Sequence, residues 1–199
     1  MSRYLPPALA ALAASLIAMT GCRSTPAPGA DLIRAHDEAL ARLTLTRFPP
    51  PPAGSEVEKA AVARFIDFYR DYSTAAIRRG VRELYAPDAY FGDPFRSVNG
   101  IDEIESYFLK MAEPVITCAF TVTSVSRSDD GEYFIPWVMD LTVQRAPREP
   151  FRALGVSHVR FNAAGQVIFQ QDYWDSSVLF DRLPVVGGLT QYVKRRMEK

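Results

Sequence analysis

The sequence predicts an α+β fold in which three helices pack on one face of a curved antiparallel sheet. Two patterns carry this expectation. Apolar residues recur at helical spacing in three consecutive segments between Ser55 and Met111, and beyond Pro114 they switch to alternation over four long strands. A third observation sets the scale: 199 residues, 48% of them hydrophobic, suffice for one domain with appendages.

Ser55 followed by Glu58 is a capping-box pattern, and Ala61, Phe65, Phe68, Tyr69 and Tyr72 follow it at helical spacing. Ser73 or Thr74 caps a second helix, whose Ile77, Val81, Leu84 and Tyr85 share a face that ends at Ala86-Pro87. Ala89 to Phe91 reads as a short strand broken by Asp93-Pro94. Ile101, Ile104, Phe108 and Met111 mark a third helix. In the strand region, Cys118, Phe120 and Val122 alternate with threonines, and Asp129-Asp130-Gly131 turns the chain into Tyr133–Gln144. Phe151–Phe161 and Gln166–Trp174, joined through Asn162-Ala163-Ala164-Gly165, complete a meander.

The N-terminus carries a different message. Arg3 precedes an apolar stretch from Leu5 to Met19 that is too short for a membrane span and ends in Met19-Thr20-Gly21-Cys22. This resembles a bacterial lipobox, which implies cleavage before Cys22, acylation of Cys22 and a membrane-anchored product. Arg23 in place of an aspartate points to the periplasmic face of an outer membrane. Residues 1–21 are thus expected to be a signal peptide and 22–54 a Pro-rich tether with a short possible helix over Asp31–Leu43. The domain is expected at 55–178, and a basic amphipathic extension at 179–199.

Equal numbers of basic and acidic residues, 23 of each, leave no electrostatic footprint for nucleic acid. Two cysteines and two histidines cannot make a disulfide framework or a multi-ligand zinc cluster. No glycine-rich phosphate loop or Ser-His-Asp series occurs, so any chemistry is expected to need no cofactor.

The stretch Leu84–Phe95, with Asn99-Gly100-Ile101-Asp102-Glu103-Ile104 and Val159–Val167, resembles ketosteroid isomerase and the wider nuclear-transport-factor-like and SnoaL-like (polyketide-cyclase-like) superfamily. The resemblance covers roughly residues 56–176. It implies a cone-shaped α+β barrel whose sheet wraps around a pocket closed by helices, in enzymes, binding proteins and assembly modules alike. It also matches Asp93 to the carboxylate that moves a proton between carbons of a ketone. Phe65 and Ser157 stand where the isomerases have a tyrosine and a protonated aspartate, so steroid isomerisation is not expected.

Gln170-Gln171-Asp172-Tyr173-Trp174-Asp175 resembles the last strand of limonene-epoxide hydrolases and polyketide cyclases, which implies an acid or base at Asp172. Alternation puts Gln170, Asp172 and Trp174 on one face. Asp140 matches a hydrolase aspartate, but Val138 replaces the arginine that would accompany it. Asp93, Asp172 and Asp140 are therefore the candidate catalytic residues. Phe65, Tyr69, Phe91, Ser157 and Trp174 are candidate pocket residues, with plain core as the alternative for the aromatic ones. His158 has the opposite parity to Ser157 and is expected on the outer sheet face or at a homodimer contact. Cys118 reads as a small buried hydrophobe and His36 as a solvated helix residue.

Two functions remain open on this reading. One is a lipid-anchored envelope protein whose pocket holds a small, largely apolar molecule, with cofactor-free proton-transfer or hydrolytic chemistry. The other is a noncatalytic envelope module that binds a partner through the sheet face or the C-terminal extension.

Overall fold

In the computed structural model, which describes residues 30–44, 47–144, 151–181 and 186–197, helix α1 (Ala30–Arg42) precedes two helices that serine caps begin. At the start of α2 (Glu56–Tyr69) the Glu58 amide donates to Ser55 Oγ at 3.2 Å, and Glu58 in turn accepts from the Gly54 amide. At α3 (Thr74–Leu84) the Ala76 amide donates to Ser73 Oγ, also at 3.2 Å. Both caps satisfy amides that the first helical turn leaves without partners. The chain continues through β1 (Tyr85–Gly92), β2 (Ser97–Asn99), α4 (Ile101–Ala112), β3 (Val115–Val122), β4 (Ser126–Arg127), β5 (Glu132–Val143), β6 (Phe151–Phe161) and β7 (Val167–Trp174). Two further helices, α5 (Ser177–Phe180) and α6 (Val186–Met197), follow. The lipobox and Cys22 lie outside the described residues.

The strands form one curved sheet in the order β2-β1-β7-β6-β5-β3, with β4 added on β5. Its two end strands do not meet, so the sheet stays open. It is not wholly antiparallel as expected: β1 runs parallel to β7, pairing Tyr90 with Phe169 and Gly92 with Gln171. Alternation along a strand reports which face is buried but not which neighbour it pairs with, so this partnership had no local signal. Strand β1 is also longer than expected, because a register shift between Tyr85 and Tyr90 absorbs Pro87, which has no amide to give to the ladder. The three-residue β2 was not anticipated. It pairs with β1 across the Asp93–Arg96 turn, and the Asp93 amide donates to Arg96 O at 2.9 Å.

The concave face meets α2, α3 and α4 in a core of Phe65, Ile77, Leu84, Ile104, Phe108, Phe161 and Val167, all essentially inaccessible to water. The convex face was expected to carry His158 and, in the noncatalytic reading, to bind a partner. Part of it is covered by α1 and the residues just after it: Ala39 and Leu43 pack on Tyr90 and Phe169, with Leu40 and Phe48 beside them. The compact unit that carries the sheet begins at Leu32. His158 lies under this cover, stacked on Phe134 at 4.7 Å and edge-on to Phe169 at 5.1 Å. Its Nε2 is 3.1 Å from Glu132 Oε2, while Arg160 Nε donates to Glu132 Oε1 at 2.7 Å and its Nη1 to Leu43 O at 3.0 Å. Burial holds the imidazole below its usual range, against the pull of Glu132.

Candidate functional site

On the concave side the alternation of β5, β6 and β7 brings Trp137, Ser157, Gln170 and Asp172 inward, where they join Tyr69 from the end of α2 and Tyr85 from the start of β1. Each polar atom of this group has a determined role. The Tyr85 hydroxyl donates to Gln170 Oε1 at 2.6 Å, so the Tyr69 hydroxyl, 2.7 Å from that of Tyr85, must donate to it. Gln170 Nε2 then gives one proton to the Tyr69 oxygen and the other to Asp172 Oδ1, each at 2.9 Å. From the opposite side Trp137 Nε1 donates to Ser157 Oγ at 2.9 Å, and Ser157 donates to the same Asp172 Oδ1 at 2.6 Å.

Both donors therefore converge on Oδ1, and among the described residues Asp172 Oδ2 has no hydrogen-bond partner. Asp172 is 8% exposed. Burial pushes its carboxyl up to about 7, against the downward pull of Ser157 and Gln170, and the nearby charge of Asp93 adds to the rise. With two donors aimed at Oδ1, the proton of the neutral acid belongs on Oδ2.

Asp93 is held differently. In the tight turn after β1 its Oδ1 accepts from the amides of Phe95 (2.8 Å) and Arg96 (2.9 Å), and its Oδ2 accepts from the Tyr107 hydroxyl at 2.7 Å. Burial raises its carboxyl, and these three donors oppose the rise. Asp93 is thus both the turn-former that Asp-Pro predicts and a pocket carboxylate, but it has no idle oxygen.

The two carboxylates border one cavity of about 100 Å³. Tyr69, Phe91 and Trp174 line it, together with Tyr72, Phe108, Phe120 and Trp137. Phe95 and Met111, 38% and 37% exposed, mark its rim beside Leu179, which belongs to the segment expected to be an extension. Cys118 is on the wall, its thiol pushed up to about 12 by burial and hence inert. Asp93, Asp172 and Trp174 also border a shallower outer groove of about 530 Å³ that runs along Leu32, Ile33 and His36 of α1.

Other expectations need correction. Asp140 is not in the pocket: on β5 the inward positions are Trp137 and Met139, and Asp140 has the other parity. It faces out and pairs with Arg152 at 2.8 Å. Phe65 is core and touches only a crevice of about 10 Å³ beside Ser157. Ser157 likewise supports Asp172 without facing the main cavity. Tyr107, Tyr85 and Gln170 are site residues whose roles the sequence reading missed. Tyr107 could have been found, since it lies three residues after Ile104 on the buried stripe of α4.

The SnoaL-like domain family matches residues 62–169, more than half of the chain, and the chain belongs to that family. No curated protein matches it. Among solved structures it is similar to a nuclear-transport-factor-like protein of unknown function from Burkholderia pseudomallei (TM-score 0.55, 13% identity, 66% of this chain and 100% of that one). It is also similar to a SnoaL-like polyketide cyclase from Jannaschia (0.54, 16%, 66% and 96%). A third is a protein of ketosteroid isomerase-like fold from Catenulispora acidiphila, solved in complex with trimethylamine (0.53, 19%, 67% and 95%). At these identities the likeness establishes the cone-shaped α+β fold.

Proposed function

We propose that the chain is a cofactor-independent acid–base enzyme acting on a small, largely apolar molecule, with Asp172 as the group that carries the proton. One observation supports this above all: a buried carboxylate on the wall of an apolar cavity, with one oxygen held by two donors and the other without a partner among the described residues. A carboxyl that titrates near 7 matches its proton affinity to neutral solution, where a general base or acid works best. Ionised Asp172 takes a proton through Oδ2 from a C–H next to a carbonyl. The electron pair moves onto the carbonyl oxygen, and the acid so formed returns the proton to another carbon.

The developing oxyanion needs a donor. Tyr72 is on the cavity wall, and its hydroxyl makes no hydrogen bond among the described residues. Such a donor is worth roughly 3 kcal/mol in a transition state. The size of the site limits the substrate. A cavity of roughly 150 Å³ holds benzene, so about 100 Å³ takes a smaller group, with any remainder passing the rim at Phe95 and Met111.

The test is deuterium exchange from solvent into the α-carbons of a panel of small ketones, followed by proton NMR. Asp172→Asn is expected to slow exchange at least about 100-fold and Tyr72→Phe about 10- to 100-fold. Exchange at parental rates in Asp172→Asn overturns the assignment.

The location proposed for this activity is the cell envelope, through acylation of Cys22. The support is the apolar run ending in Met19-Thr20-Gly21-Cys22. Cys22→Ser is expected to abolish labelling by a palmitate analogue and to release the protein from membranes.

The noncatalytic alternative retains one favourable observation. Helix α6 is held at Asp181 by Lys194 (2.6 Å) and Thr190 (2.5 Å), and leaves Leu189 65% and Met197 83% exposed next to Arg195 and Arg196.

A further inference from the structure

The walls and charges of the cavity do not suit a pure hydrocarbon. Asp93 and Asp172 both border it, and no lysine, arginine or histidine among the described residues does. Arg96, whose guanidinium lies 5.9 Å from the Tyr107 ring, is half exposed and off the wall. A carboxylate out of water without a basic partner must either take up a proton or meet a positive charge brought by the ligand. Asp172 has the atom for that meeting, because the residue is 8% exposed and among the described residues its Oδ2 has no hydrogen-bond partner.

The rest of the wall says which kind of cation fits. A metal ion needs several oxygen, nitrogen or sulfur ligands, and among the described residues no three acidic, histidine or cysteine side chains are placed to hold one. The wall is instead aromatic, with Tyr72, Phe91, Phe108, Phe120, Trp137 and Trp174 around the two carboxylates. Such rings attract a cation whose charge is spread over alkyl groups and cost it little in lost hydration.

We propose that the cavity takes a small alkylated ammonium ion, its charge set against Asp93 and Asp172 and its alkyl groups against the aromatic wall. This rests on the reading of the cavity as a ligand site and names the chemical class of the ligand. It also completes the acid–base reading. A cation beside Asp172 keeps that carboxylate ionised at neutral pH, and an ammonium group acidifies the C–H bonds near it.

The test compares tetramethylammonium with tert-butyl alcohol, a neutral molecule of similar size, by saturation-transfer NMR and calorimetry on the full chain. Tetramethylammonium is expected to bind at least about tenfold tighter at pH 8. Because it favours ionised Asp172, its affinity should rise about tenfold between pH 6 and pH 8, while that of tert-butyl alcohol stays flat. In Asp172→Asn that rise should disappear, with folding checked by circular dichroism. The pH series on the parent protein tests the proposal even if the variant does not fold. Equal binding of the two molecules, or cation affinity independent of pH in the parent, overturns the ammonium assignment and leaves ketone exchange as a separate measure of the enzyme reading. Binding of neither overturns both the ligand class and the cavity as a ligand site.

Discussion

Ser157 and His158 are neighbours on β6, and each belongs to a buried polar cluster on its own side of the sheet. On the convex side Glu132 is matched by Arg160 and His158, so the carboxylate under α1 has its charge answered within the chain. On the concave side Asp172 receives, among the described residues, only the neutral donors Ser157 and Gln170 and no cation. The first cluster fastens a helix to a sheet, since Arg160 also reaches the Leu43 carbonyl at the end of α1. The second leaves a charge unanswered, which is unfavourable for folding and is the condition a ligand can relieve.

Opposite signs are therefore expected when each carboxylate is removed. Glu132→Leu strands Arg160 in a site with little water and should destabilise the fold by about 2–4 kcal/mol in urea titrations. Asp172→Asn should stabilise it, by about 1–2 kcal/mol at pH 8. The folded-state pKa of Asp172 is raised above the unfolded value. Its contribution is therefore fully present below about pH 4 and is lost as the pH rises through about 7. Melting temperatures between pH 4 and pH 8 should show that loss in the parent and a smaller one in Asp172→Asn, where the raised carboxyl of Asp93 remains. A destabilised Asp172→Asn would dissolve the contrast between the two clusters. The smallest effect is expected at Asp140, whose bridge to Arg152 is exposed. Asp140→Asn should change stability by no more than about 0.5 kcal/mol and leave ketone exchange at the parental rate.

The fold was legible because three helical stripes and four alternating strands each record burial locally. The caps at Ser55 and Ser73 were legible for the same reason, being set by residues within one turn. The parallel pairing of β1 with β7 was not, since it joins segments some eighty residues apart whose patterns would suit other neighbours. At the site, Asp172 could be named because strand parity and family resemblance agreed on it, and Asp93 because the resemblance pointed to it. The excess given to Asp140 came from resemblance alone, and the parity of Trp137 and Met139 argues against it. Which carboxylate has an idle oxygen was beyond the sequence. That depends on Tyr107 from α4, Ser157 from β6 and Gln170 from β7 arriving at the right atoms, and no single segment records their meeting.

The chain has two tryptophans, and both border the cavity. Trp174 stands at the rim, edge-on to Phe95 at 5.6 Å. Trp137 lies at the inner end, its indole N–H one hydroxyl away from Asp172 and its ring so close to Gly155 that a β-carbon there would sit 2.2 Å from it. The protein's indole fluorescence is consequently a native optical readout of the site, with no signal from tryptophans elsewhere to subtract. Emission from Trp137 should follow the ionisation of Asp172 through the shared serine, and emission from Trp174 should follow the arrival of a guest. A label-free titration can thus watch the two ends of the cavity separately, once either indole is replaced by phenylalanine.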